Sequence, residues 1–259
     1  MRAARRRIVL TIAANTSNYD VASQAGTPTT PVDIVLTINT GVVVGSTSLT
    51  VGAIFVAGLP ATSTVTIINN GSIYGRGGAG GSGDGMQNTG FFLEGTNAQN
   101  GGPAITSDQA LVIDNTNGQI FGGGGGGGGG QCGGTPAGSP PYSGAVAGGG
   151  GGGGQGYGTA AAGTGGDDQL TGNHGSAGNA GSAAAAGVGA TGGLSGAYGN
   201  DGGGGGAWGT SGGNGFTVTI GTGSSQSAGG IGGNAVSTSG TGVTWLGGNN
   251  GTQVKGFVA

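Results

Sequence analysis

Gly122 to Gly130 is an unbroken run of nine glycines, and all-glycine runs return at Gly148–Gly154 and Gly202–Gly206. Ordering one backbone residue costs about 1–2 kcal/mol, so nine residues cost roughly 9–18 kcal/mol with no side-chain burial in return. A single run would therefore be a linker. Only hydrogen bonds to neighbouring chains and close backbone packing can offset that cost. An extended threefold helix of the polyproline-II type rises about 3.1 Å per residue and turns every N–H and C=O outward. Proline lacks the donor, whereas glycine can bond neighbours on several sides and let backbones touch, with Cα–H···O contacts adding to the attraction. Such rods are stable only in a bundle. The sequence supplies about seven of them, most of 7–11 residues, or roughly 22–34 Å each at that rise.

The glycine runs are also launched in a repeated way. "TVTIINNGSIYGRGGAGG" (64–81) is echoed by "LVIDNTNGQIFGGGGGGG" (111–128): a strand, an Asn-Gly turn, an Ile-aromatic pair, then glycine. Upstream, 7–12, 32–38, 49–57 and 64–68 are rich in β-branched residues and are separated by Gly, Pro, Asn and Ser, which reads as β structure. Short strands are expected again at 216–220, 243–246 and 252–259. The expected fold is mainly β with a polyglycine-II helical bundle and little or no α-helix. The expected domains are a β-rich attachment domain over 1–74, a glycine-rich bundle with binding loops over 75–215, and closing β segments over 216–259.

Several function classes are excluded. Of 259 residues 74 are glycine, yet only seven are proline and no Gly-X-Y period is sustained, so the chain is not collagen. No apolar run approaches the ~18 residues of a membrane span, so no membrane insertion is expected. The start "MRAARRRIVLTIAAN" has a basic flank, but "IVLTI" alternates as a strand does and makes a poor signal-peptide core. Six Lys and Arg in total, four within the first seven residues, leave no nucleic-acid footprint. Cys132 is the single cysteine, so no internal disulfide can form; His174 is the single histidine, for which a triad or metal site would need a positioned partner, and within a glycine rod it reads as a surface side chain. GxGxxG strings follow from glycine abundance and sit in no strand–helix context. No enzyme and no cofactor is expected. "GTGGDDQLTG" (163–172) offers Asp167 and Asp168 as a calcium candidate of the nonapeptide type, but such sites need successive copies and the next register has no aspartate, so a polar turn is the simpler reading.

The segment "NNGSIYGRGGAGGSG" (69–83), with the glycine runs and bulky interruptions after it, resembles the glycine-rich receptor-recognition proteins of tailed bacteriophages, in particular the polyglycine-II tip adhesins of T-even-like phages. The resemblance covers about residues 64–250; residues 1–63 do not look like the fibre-binding head of that family. It implies a virion tail-fibre or tail-tip adhesin whose rods are scaffold and whose loops bind a bacterial outer-surface receptor, protein or glycan. Other phage tail proteins are then expected to meet residues 1–74, with a single-chain cap and a homotrimer both open. Bulky residues that do not fit a glycine lattice are the receptor-binding candidates: Phe91, Phe92, Leu93, Pro140, Pro141, Tyr142 and Tyr157. The alternative for the aromatic residues is packing over bundle ends, which is the expected role of Trp208 and Trp245. The competing function is a structural or ice-binding glycine-rich protein, which would show a stricter period and fewer bulky loops.

Overall fold

Alternation in Val32–Ile38 puts Val32, Ile34, Leu36 and Ile38 on a buried face and leaves Asp33, Val35 and Thr37 on the other, as a half-buried strand requires. The same alternation recurs along the chain, and the computed structural model shows what it builds. The structure describes residues 5–87, 92–134, 147–169, 172–192, 200–217, 222–223 and 227–259. By compactness the chain divides into two units: 1–76, 102–122 and 234–259 form the first, and 77–101 with 123–233 form the second.

The first unit is a parallel β-solenoid of five coils. The opening coil is β1 (Arg6–Ile12), β2 (Thr16–Ser17) and β3 (Tyr19–Asp20), followed by one helical turn, α1 (Val21–Gln24), whose N-terminal amides are capped by Asp20. The second coil is β4 (Val32–Ile38), β5 (Val43–Gly45) and β6 (Ile54–Val56). The third begins with β7 (Thr64–Asn69) and β8 (Ser72–Tyr74). The chain then leaves for the second unit, where β9 (Gly85–Met86) and β10 (Phe92–Leu93) pair antiparallel. It returns with β11 (Ile105–Ser107), and the fourth coil follows as β12 (Leu111–Asp114) and β13 (Gln119–Phe121). A second departure contains β14 (Gly133–Gly134) and β15 (Thr222–Gly223). The fourth coil is completed by β16 (Val236–Thr238), and the fifth consists of β17 (Val243–Gly247), β18 (Val254–Lys255) and a bridge from Val258 to Val236. The three faces are the sheets β1-β4-β7-β12-β17, β2-β5-β8-β13-β18 and β3-β6-β11-β16. Both departures follow a strand of the second face, and both returns supply a strand of the third.

Inside, stacked Ile, Val and Leu make one core: Ile34, Val65 and Leu111 lie in register, as do Leu36, Ile67 and Ile113, and Val44, Ile73 and Ile120. At the corner between the first two faces, Asn69 Nδ2 donates to Asn115 Oδ1 at 2.7 Å, while Asn115 Nδ2 donates to the Gly248 carbonyl at 2.8 Å. The equivalent corner of the second coil turns on Gly41, whose φ of +78° is a conformation that side-chain-bearing residues rarely adopt. The sequence echo is this stacking: Ile67 lies on Ile113 and Tyr74 on Phe121, with one extra turn residue in the fourth coil between Asn115 and Gly118.

On the outward side of β4, Asp33 accepts hydrogen bonds from Thr64 Oγ1 at 2.7 Å and Arg5 Nη1 at 3.2 Å. Those bonds, Thr64 first, hold its carboxyl below the usual range. Because the folded-state value is depressed, the stabilisation is present above the unfolded-state pKa and is lost as pH falls through the folded one. Asp33→Asn should therefore lower the melting temperature slightly at neutral pH, with the difference from wild type closing below the carboxylate range. A constant difference from pH 7 to pH 2.5 in melting curves would show that ionisation of Asp33 plays no part.

The second unit is built from ten segments: 77–86, 92–101, 123–131, 147–156, 160–168, 173–182, 187–192, 200–207, 209–216 and 227–233. Successive amides of one segment serve different neighbours. Gly124, Gly125 and Gly126 donate to the carbonyls of Gln155, Thr210 and Gln99, and the cycle resumes as Gly127 and Gly128 donate to Gly152 and Gly213. The carbonyls repeat likewise: Gly124, Gly127 and Gly130 accept from Gly78, Gly81 and Asp84. Segment 123–131 thereby bonds six neighbours, and 147–156 also bonds six, while each of the other eight has an outer side. These two central segments contain the long pure-glycine runs. A Cβ on Gly124 to Gly130 or on Gly148 to Gly154 would in every case fall within 3 Å of a backbone atom of another segment. Peripheral segments need a small residue only where they face a neighbour, so Val188 and Ile231 stand outward and exposed.

That distinction corrects the expected organisation. The stretches 86–100 and 159–171, which break the glycine pattern, contribute the peripheral segments 92–101 and 160–168 of the array. The domains are not consecutive along the chain either, because 102–122 completes solenoid coils and 216–233 belongs to the glycine-rich unit. Trp208 is buried and Trp245 packs against the solenoid core, so both serve packing. The expected strand at 216–220 is absent at Phe216 and Thr217, and 218–220 lie outside the described residues.

Candidate recognition surface

The array alternates direction, so the connections between its segments sort to two ends. Gly130, Gly149, Asp84, Gly166, Gly175, Asn200 and Phe216 are bonded to one another's segments at one level. That level is where the chain passes from 86 to 92, 131 to 147, 168 to 173, 192 to 200 and 216 to 227. These five connections share the loop end of the unit. The connections 157–159, 183–186 and 208 lie at the other end.

Side chains clamp the bases of the loop-end connections. Buried Asp84 accepts the Gly95 amide at 2.5 Å, and Ser82 and Thr96 exchange amide-to-hydroxyl bonds of 3.1 and 2.7 Å, fixing both stems of the 86–92 connection. Asp167 Oδ1 lies 2.8 Å from His174 Nδ1 across the 168–173 connection. Asp201 accepts the Gly192 amide at 3.2 Å, and Asn214 accepts that of Gly229 at 3.0 Å. The unit contains no Lys or Arg, and its acidic residues Asp84, Glu94, Asp167, Asp168 and Asp201 all occur near these stems. Rigid stems holding longer connections suit recognition, since the ordering entropy of the stems is spent before a ligand arrives.

The candidate residues distribute unequally over this surface. Phe92 and Leu93 form β10 at the loop end, half-buried, with Phe92 against Met86 and the fully buried Cys132. Phe92 thus has a packing role beneath the loops. Phe91, Pro140, Pro141 and Tyr142 lie outside the described residues. Tyr157 is half-buried at the opposite end of the array. Asp168 is fully buried, with its amide bonded to the Asn173 carbonyl, and Asp167 faces His174. Among the described residues no group of three or more His, Cys, Asp or Glu could hold a metal ion. The connections 192–200 and 216–227 were not singled out from the sequence; a small-residue stretch interrupted by Leu194 and Tyr198, and the apolar 216–220, are the signals they carried.

A family model for the phage tail fibre adhesin Gp38 matches residues 7–257, which spans both units. The chain belongs to the Gp38 tail fibre adhesin family. It is a virion tail-fibre protein, and its role is recognition of a receptor on the host surface. The family supports a structural, non-enzymatic role for the adhesin. No curated protein matches it. Among solved structures, the gp37–gp38 adhesin tip complex of the bacteriophage S16 long tail fibre is similar in fold, with a TM-score of 0.57 and 23% identity over 98% of this chain and 82% of that one.

Proposed function

We propose that the adhesin reads the host surface with the five connections at the loop end of its glycine-rich unit, and that the ten segments beneath them are polyglycine-II rods. The observation that carries this reading is the sorting of all five connections to one end, with side chains clamping the stems of four of them. The three-residue repeat of hydrogen-bonded neighbours supports the threefold rod. Phe91, Phe92, Leu93, Pro140, Pro141 and Tyr142 belong to this surface by chain position. Tyr157 does not, and Tyr157→Ala should leave adsorption unchanged.

The solenoid unit is the mount. It meets another tail-fibre protein, as the similar S16 protein is seen in a complex with gp37. One chain already presents three strand edges at each solenoid end, so the adhesin caps the fibre as a single copy. The test is replacement of 88–91, 135–146, 169–172, 193–199 and 218–226 in turn by Gly-Ser segments of equal length. Loss of adsorption to susceptible bacteria by about tenfold or more in at least one replacement, with unchanged melting, is the expected result. Adsorption that survives every replacement would remove the loop end from recognition.

A further inference from the structure

Asparagine followed by glycine is open to attack by the glycine nitrogen on the asparagine carboxamide, because glycine puts no side chain in the way. The chain has five such pairs: Asn70–Gly71, Asn100–Gly101, Asn117–Gly118, Asn214–Gly215 and Asn250–Gly251. In the first four the glycine amide is already bonded. Gly71 donates to Asn69 Oδ1 at 3.1 Å, Gly101 to the Ile231 carbonyl at 2.8 Å, and Gly118 and Gly215 to the Asn115 and Ser227 carbonyls at 3.1 Å. The Gly251 amide makes no hydrogen bond among the described residues. Asn250, Gly251 and Thr252 are exposed in the turn between β17 and β18, and nothing lies within 4 Å of where a Cβ on Gly251 would stand. The Asn250 carboxamide is also polarised. Its Oδ1 accepts from the Thr252 amide at 3.0 Å, the Gln253 amide at 3.2 Å and the Thr252 hydroxyl at 2.5 Å. Donors gathered on one carbonyl oxygen stabilise the negative charge that grows there during nucleophilic addition.

We propose that Asn250 is a site of spontaneous modification, closing on Gly251 and opening to aspartate or isoaspartate. The Gly251 nitrogen gives its proton to hydroxide and bonds to Asn250 Cγ, while the three donors hold the oxyanion. The Cγ–Nδ2 bond then breaks, and ammonia leaves with a proton from water. Water opens the resulting cyclic imide at either carbonyl. Cleavage between nitrogen and Cγ gives aspartate, and cleavage between nitrogen and the main-chain carbonyl carbon gives isoaspartate. No oxidant, metal or cofactor enters the balance. Either product gains a negative charge and lacks the Nδ2 donor that now bonds Gln253 Oε1. Gln253 in turn donates from Nε2 to the Asn115 carbonyl at 3.0 Å and the Thr116 carbonyl at 2.8 Å. Modification therefore loosens the corner that Asn115 organises, and isoaspartate also lengthens the main chain ahead of β18. The solenoid carries a slow chemical clock in its last coil.

The experiment incubates the purified adhesin at physiological temperature in neutral and in mildly alkaline buffer. Peptide mass spectrometry with isoaspartyl methyltransferase labelling follows each Asn-Gly pair. In the folded protein Asn250 should convert about tenfold or more faster than any other pair. Its rate should rise with pH, because the attacking nitrogen must lose its proton. In urea the five pairs should convert at similar rates. Gly251→Ala has room for its Cβ and no positive φ to oppose it, so it should fold as wild type does and slow conversion of Asn250. Aged wild type should melt lower than fresh protein, and aged Gly251→Ala should not. Another pair converting as fast as Asn250 in the folded chain, or an Asn250 rate that urea raises, would overturn the site. Converted protein that melts as fresh protein does would overturn its link to the Asn115 corner.

Discussion

Gly127→Ala is expected to disrupt the glycine-rich unit, and Gly204→Ala to leave it intact. Both are glycine-to-alanine changes within glycine runs, so propensity treats them alike. At Gly127, in a central segment, an added Cβ would overlap the Gly203 carbonyl, with Gly203 C and Gly204 C also inside 3 Å. These are backbone atoms already held by hydrogen bonds, and no flexible side chain can move aside. Overpacking of an ordinary core costs about 1–3 kcal/mol; here relief requires two segments to separate, breaking bonds such as Gly203 N–H to Gly128 C=O at 2.8 Å. A loss of roughly 3 kcal/mol or more is the expected scale. At Gly204 the nearest atom to an added Cβ is the Gly187 carbonyl oxygen at 3.9 Å, an ordinary contact. Its φ is not among the positive ones, so alanine should be neutral or stabilise by up to about 1 kcal/mol through the unfolded chain. Hydrogen exchange resolved by peptide would report each unit separately. Equal protection of 123–131 in the two variants would contradict the central placement of that run.

Asn115→Leu is the second large effect, and it should fall on the solenoid. Asn115 is fully buried, accepts from Asn69 Nδ2, and donates to the carbonyls of Gly248 at 2.8 Å and Gln253 at 3.3 Å. Leucine has a similar size, so little volume changes. What changes is that the partly buried Gly248 carbonyl loses its donor, the Gln253 carbonyl keeps only the Ile120 amide at 2.8 Å, and Asn69 Nδ2 keeps only the Gln119 carbonyl at 3.1 Å. A polar group left unpaired costs about 1–3 kcal/mol and a lost hydrogen bond about 0.5–1.5 kcal/mol, giving an expected loss on the order of 2–4 kcal/mol. Urea unfolding that places Asn115→Leu within about 1 kcal/mol of wild type would mean the ladder contributes register and little stability.

The solenoid was half legible. Alternation in 32–38 and 64–68 is a local signal, and the strands form where it predicts. Stacking is non-local: Ile67 finds Ile113 only because 77–101 has been looped out, and nothing in either segment announces the detour. The echo between 64–81 and 111–128 held that information, read as a launching motif when it is equally one coil above another. In the glycine-rich unit the two longest pure runs betrayed the two segments with neighbours all round, while the third, 202–206, lies in a peripheral segment. The peripheral ones were harder, because an outward position tolerates Val188, Ile231 or Thr164 and so dilutes the composition. Phe92 and Tyr157 look alike as bulky breaks in glycine. Their separation to opposite ends depends on counting reversals of direction, which requires every segment to be known.

The two departures from the solenoid mean that the covalent chain passes between the units four times, at 76–77, 101–102, 122–123 and 233–234. An adhesin works under tension, since a virion anchored to a moving cell pulls on its own receptor contact. The first and the last described residues both belong to the solenoid unit, so a load between the units divides over four backbone crossings. A protease cut in any loop-end connection leaves each fragment with solenoid coils and array segments of its own, joined to the other by hydrogen bonds along their length. A nicked tip should therefore stay on the fibre, and the loop-end connections can vary in sequence and suffer damage without the virion losing its grip.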